Sequence, residues 1–166
     1  MAETTQQPAA LRRIDGNWEG TLTRDLSHPP AEVWRLLTDP ATLAQWLAAG
    51  TIELRKGGAV RIDFVDSGIL IESTVLEIEP GRILSYSWSK PGEPERPLRW
   101  ELAAEGDGTR LTLSVRLPGA EDIAKACAGF HAHLEMLAAA LEGVPIRFPF
   151  EDYLAARKAL QAQIGG

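Results

Sequence analysis

Four side chains stand out by type and setting as candidates for chemistry: His131 and His133, the carboxylate Glu72, and the single thiol Cys127. Two histidines at i and i+2 share a face on a strand, but on a helix they point to nearly opposite sides, about 200° apart. The segment around them is helical in pattern, so the pair cannot chelate one ion, and no metal is expected. His131 sits beside Phe130 at the margin of the apolar face, where it either reaches the interior or hydrogen-bonds at the rim. Glu72 interrupts an apolar strand candidate. Facing inward, it is a buried carboxylate with a raised pKa, fit to anchor a ligand or act as a base; facing outward, it is a solvated charge. Cys127 falls on a buried face, where a thiol is an inert small hydrophobe.

No second group completes a catalytic set around any of these. Gly57-Gly58 precedes neither a Lys-Ser/Thr pair nor a helix and is read as a turn rather than a phosphate loop. Ser27 and His28 adjoin without a nucleophile setting. The carboxylate pairs Glu19 and Asp25, and Glu77 and Glu79, are assigned to turn-side or solvent faces. The chain carries no catalytic constellation and no cofactor motif.

Positioning these groups falls to one domain with a sizeable core, as expected for 166 residues with 45% hydrophobic and 24% charged content. A formal net charge of −6 argues against a nucleic-acid partner, which calls for a concentrated basic patch. No apolar run approaches the roughly 20 residues that span a bilayer. The start, Met1 to Pro8, is polar and shows no secretory signal, and one cysteine excludes an intrachain disulfide. A cytoplasmic location is the expectation.

Residues 1–10 read as a flexible tail. Leu11 to Ile14 and Trp18 to Leu26 flank the turn signal Asp15-Gly16-Asn17 and predict a hairpin. Two short helices follow from about Pro30 to Ala48, joined at Thr38-Asp39-Pro40 and carrying Trp34 and Trp46; Asp39 suits an N-cap and Pro40 a first helical position. Strand patterns then recur at Thr51 to Leu54, Ala59 to Val65, Ile69 to Ile78, Arg82 to Ser89, Leu98 to Ala104 and Thr109 to Leu117, separated by glycine- and proline-bearing turns. On Ile69 to Ile78 both alternating sets are partly apolar, which leaves the parity ambiguous and open to resetting by a bulge. From Ala120 to Leu141, Ile123, Cys127, Phe130, Leu134, Leu137 and Leu141 recur at helical steps, predicting an amphipathic helix of about six turns. A weaker terminal helix follows Pro149, and it either pads the domain or mediates a homodimer.

This order predicts an α+β fold of the helix-grip kind. A curved antiparallel sheet of six to seven strands wraps a long C-terminal helix, and the two short helices close one end. The domain spans 11–145, and 146–166 is a helical extension. Arg24-Asp25-Leu26-Ser27-His28-Pro29-Pro30-Ala31-Glu32-Val33-Trp34, Leu37-Thr38-Asp39-Pro40 and Gln45-Trp46-Leu47 resemble the opening signature of the SRPBCC (START/birch-pollen-allergen-like) superfamily. The nearer branch is similar to the C-terminal domain of the activator of the 90-kDa heat-shock chaperone's ATPase. Later segments agree: Val75 to Leu84, Tyr86-Ser87-Trp88, Gly108 to Leu113, and Gly129-Phe130-His131-Ala132-His133-Leu134, with Phe130 where branch members often carry tryptophan.

The resemblance implies a cavity between sheet and long helix, whereas periodicity alone is equally met by a packed core. The expected function is non-catalytic binding of an apolar or amphipathic small molecule, lipid-like or aromatic. Its candidate contacts are Phe64, Ile71, Trp88, Trp100, Phe130 and Leu134 as apolar wall, with Glu72 and His131 as polar contacts. Trp34 and Trp46 are assigned to packing. The alternatives are a chaperone-activator-like interaction module, although the full activators carry a further N-terminal domain, and a cyclase- or hydrolase-type enzyme of the same superfamily.

Overall fold

The computed structural model describes residues 7–65 and 67–165; the first six positions of the expected tail lie outside them. The chain runs β1 (Ala10–Ile14), β2 (Asn17–Leu26), α1 (Pro30–Thr38), α2 (Pro40–Trp46), β3 (Ala49–Ile52), β4 (Ala59–Phe64), β5 (Ile69–Glu79), β6 (Ile83–Ser87), β7 (Pro97–Glu105), β8 (Gly108–Leu117), α3 (Ile123–Leu141) and α4 (Phe150–Gly165). The strands form one antiparallel sheet of eight in the order β1-β2-β8-β7-β6-β5-β4-β3. This is the helix-grip architecture, with more strands than the six to seven expected because the short β1 and β3 pair fully at the two edges.

Strand alternation decides which face is inside. Val60 and Ile62 on β4, Ile71 and Val75 on β5, Leu84 and Tyr86 on β6, Leu98, Trp100 and Leu102 on β7, and Leu111, Leu113 and Val115 on β8 are all buried in one core. The β5–β6 register shifts between Val75 and Glu77, an irregularity that accounts for the mixed pattern of this strand.

The helical corner is held by hydrogen bonds local to its sequence. Asp39 caps α2, accepting from Ala41 N–H at 3.0 Å. The Thr42 hydroxyl donates back to Arg35 C=O at 2.8 Å, and the Trp46 indole N–H donates to Leu36 C=O at 2.6 Å, so α2 folds onto α1. Trp46 is fully buried and Trp34 partly so, in line with their packing role.

Helix α3 begins later than the periodicity predicts. Asp122 supplies the N-cap, accepting from Lys125 N–H at 3.0 Å, and Pro118 to Glu121 lead into it as a turn. Its inner side packs on the sheet through Ile123, Cys127, Phe130, Leu134 and Leu137. Alanines Ala128, Ala132 and Ala140 are buried too, because α4 packs against α3 and sinks Ala156 and Leu160. At its far end α4 ties to the sheet edge: the Gln163 side chain accepts from Leu11 N–H at 3.0 Å and donates to Ala9 C=O at 3.3 Å.

Candidate functional site

The apolar side chains singled out from the sequence meet between the sheet and α3. Trp100, Phe130, Leu134 and Ile71 are buried in the core, while Phe64 and Trp88 are half-buried beside them. The rings touch edge to face in a continuous run. Trp46 and Trp100 stand 5.6 Å apart at 85°, Trp100 and Phe130 6.4 Å at 80°, Trp88 and Phe130 5.2 Å at 67°, and Phe64 and Trp88 5.8 Å at 77°. Such contacts are favoured by the ring quadrupoles.

The run continues outward where sequence reasoning had stopped. His133 lies 5.8 Å from Phe64, Phe148 lies 5.3 Å from His133, and Tyr153 lies 5.7 Å from Phe148. His133 is three residues after Phe130, so helical spacing could have placed both on one face; Phe148 lies in the segment before α4 and carried no such signal. The aromatic interior thus reaches the surface under that segment, where Phe148 and Phe150 are exposed.

Several polar groups sit in this run. The Trp100 indole N–H is buried without a partner in good hydrogen-bond geometry, and the polar group beside it is the Tyr86 hydroxyl. Burial pushes the Tyr86 hydroxyl pKa up, with the Trp100 N–H acting weakly against it. His133 donates Nδ1–H to Trp46 C=O at 2.9 Å, and burial pushes its pKa below the ordinary imidazole value. The loop after β6 that carries Trp88 is anchored by Arg96, whose Nε and Nη2 donate to the Glu121 carboxylate at 2.6 and 3.0 Å.

Glu72 does not join them. It lies on the outer face of β5, opposite Arg61 of β4 and 3.7 Å from its guanidinium, because Ile71 and Ser73 take the inner positions. His131 also turns away from the rings. Its Nδ1 accepts from Arg24 Nη2 at 2.9 Å, and its Nε2 lies 3.2 Å from a Glu135 carboxylate oxygen. Arg24 reaches it because Gly20, Leu22 and Arg24 share the inner side of β2. The two histidines point apart, as their spacing on a helix requires, and no cluster of three or more metal-ligating side chains occurs among the described residues.

Of the carboxylates assigned to solvent faces, Glu19 is a correction. It is buried on the outer side of β2 because Arg12 and Arg116, from the neighbouring strands, donate to its two oxygens, each at 2.9 Å. Burial alone would raise its pKa, but these hydrogen bonds outweigh it and hold the carboxyl below the ordinary range. A surface cleft of about 280 Å³ opens beside it, lined by Trp18, Glu95, Pro97 and Pro118 among others; its Glu19 and Arg116 are already paired with each other. No helix among the described residues is long and apolar enough to cross a membrane.

Comparisons with known proteins agree with this fold. Residues 27–142 match the family model described as Activator of Hsp90 ATPase homolog 1-like protein. The fold is similar to the crystal structure of CalU16 from Micromonospora echinospora, with TM-score 0.79 and 23% identity over 99% of this chain and 100% of that one. It is also similar to DynU16, a putative protein in the dynemicin biosynthetic locus, with TM-score 0.70 and 31% identity over 76% of this chain but only 48% of that one, so the match spans about half of that relative. A conserved protein of unknown function from Enterococcus faecalis, EF2215, superposes with TM-score 0.75 at 21% identity over 93% of this chain and 91% of that one. No curated protein matches the chain.

Proposed function

Because the chain belongs to the Activator of Hsp90 ATPase homolog 1-like family, within the SRPBCC superfamily, we propose that it binds an aromatic or amphipathic small molecule between the sheet and α3. One observation carries the reading: a buried indole N–H, that of Trp100, has only the Tyr86 hydroxyl beside it and no acceptor in good hydrogen-bond geometry, in the middle of a run of aromatic edges. A buried unpaired donor costs about 1–3 kcal/mol, and a ligand acceptor removes that cost. The ligand class follows: an apolar, preferably planar body carrying one oxygen acceptor, such as a phenol, quinone or carbonyl.

The rings fill the space in the unliganded fold, so entry requires one of them to swing aside. Trp88 is suited to this, being half-buried and carried by a loop rather than by a strand. Affinity then comes from apolar area removed from water, at about 25 cal/mol per Å² before ordering costs. The similarity to DynU16, a putative protein in the dynemicin biosynthetic locus, supports a small-molecule ligand. Catalysis is not part of the proposal, since Glu72 faces out and His131 is engaged by Arg24 and Glu135.

The test is a titration of the protein with polycyclic phenols and with medium-chain fatty acids, read by tryptophan emission. A saturable change is expected for the phenols. Trp100→Phe keeps a ring but removes the N–H, and should weaken oxygen-bearing ligands about tenfold while sparing the parent hydrocarbon. No saturable change with either series, or equal loss for ligands with and without the oxygen, overturns the reading.

A further inference from the structure

Of the two histidines on α3, His133 is the one that joins the aromatic run, and its own hydrogen bond fixes which nitrogen carries the proton. Nδ1 lies 2.9 Å from the Trp46 carbonyl oxygen. A carbonyl only accepts, so Nδ1 bears the hydrogen, and in a neutral imidazole the other nitrogen is then an acceptor. Burial lowers the His133 pKa, which keeps the ring neutral near pH 7. Among the described residues Nε2 has no hydrogen-bond partner, yet it is not sealed in as the Trp100 N–H is, so a ligand can reach it.

Two polar groups therefore flank the same row of rings, a donor on Trp100 deep in the core and an acceptor on His133 nearer the surface. Trp46 sets both, since its ring stands 5.6 Å from that of Trp100 and its carbonyl holds His133. Between them lies Trp88, which touches Phe130 on the Trp100 side and Phe64 on the His133 side. When the Trp88 ring swings out, the slot it leaves leads from one polar group towards the other. The imidazole itself is set between the edges of Phe64 and Phe148. A hydrogen bond made in such apolar surroundings is electrostatically stronger than one made in water.

We propose that His133 Nε2 is a second recognition point of this site: it accepts from a phenolic hydroxyl on a planar ligand whose other end carries the oxygen that the Trp100 N–H meets. This inference rests on the binding reading above and narrows it. The ligand class becomes an aromatic body with a hydroxyl and a carbonyl at opposite ends, such as a hydroxyaryl ketone or a hydroxyquinone. A methyl ether has no hydrogen to give Nε2. A carboxylate would bring an unpaired charge into apolar surroundings, which is costly. The contact is recognition rather than catalysis. A phenol with a pKa of about 10 keeps its proton beside an imidazole held below its ordinary 6.5.

Nitrogen NMR of the imidazoles in the ligand-free protein tests the premise. His133 should show a protonated Nδ1 and a bare Nε2, and a proton on Nε2 overturns the proposal whatever the ligand. Recognition is tested by titrating the protein with xanthone, its monohydroxy derivatives and their methyl ethers, read by tryptophan emission. The tightest monohydroxyxanthone should bind about tenfold more tightly than its own methyl ether, as one hydrogen bond provides. His133→Asn keeps a donor for Trp46 C=O but lacks the acceptor, and His133→Phe keeps a ring without either nitrogen. In both variants hydroxyl and ether should bind equally, while xanthone still binds. If wild type binds xanthone but no hydroxyl gains over its ether, or if the gain survives in both variants, this inference falls and the binding reading stands. If wild type binds none of the xanthones, both fall.

Discussion

Gly20 on β2 lies so close under Cys127 on α3 that a Cβ built on the glycine would overlap the thiol sulfur. The long helix can rest on the sheet at this height only because β2 offers bare backbone there. Gly20→Ala should therefore cost about 1–3 kcal/mol by overpacking, measured by urea denaturation. In a Cys127→Ala background the same change should cost measurably less, since contacting sites are not additive. Additive costs would mean that the two residues do not limit the approach.

The corner of α1 and α2 makes a second prediction. Trp46→Phe keeps the aromatic contact with Trp100 but removes the 2.6 Å hydrogen bond to Leu36 C=O. That carbonyl is left without its indole partner inside the fold, so stability should fall by about 1–3 kcal/mol. The loss would appear in the denaturation midpoint with an unchanged slope.

The three histidines should titrate on opposite sides of the ordinary imidazole value. Hydrogen bonds to Glu32, and then to Glu142, raise His28, while burial lowers His131 and His133. A depressed histidine stabilises the fold above its unfolded value of 6.5, and that contribution is lost as pH falls. His28 works the other way: its stabilisation is present below 6.5 and is lost as pH rises through its raised value. Proton NMR of the imidazoles resolves all three, and His133 titrating above His28 would contradict the structure.

What the sequence disclosed follows from the range of the interactions involved. Capping at Asp39, the eight strand patterns and the apolar stripe of α3 depend on neighbours a few positions away, so they were legible. The packing of Trp46 followed from the same periodicities, which also place Trp100 and Phe130 on inward faces. Glu19 was misassigned because what buries it are the arms of Arg12 and Arg116 on adjacent strands, which alternation along β2 does not report. Glu72 was undecidable because both faces of β5 carry apolar residues, and pairing with Arg61 resolves it. The role of Arg24 had a signal that went unused: it shares the inward parity of Gly20 and Leu22. Phe148 had none, because its partner His133 is a matter of tertiary packing alone.

The pairing of β2 with β8 sets a timetable for the molecule's assembly. Trp18 registers with Leu117 and Leu26 with Thr109, so the hairpin made first finds its place only after nearly every other strand exists. Until then, strands β3 to β7 can form their local ladders, while the inner side of β2 waits for both β8 and α3. Contacts so distant in sequence slow folding. Of the eight strands described, β1 and β2 are made before the others yet find their partner after them, and Leu22 lacks its neighbours until β8 and α3 have been made.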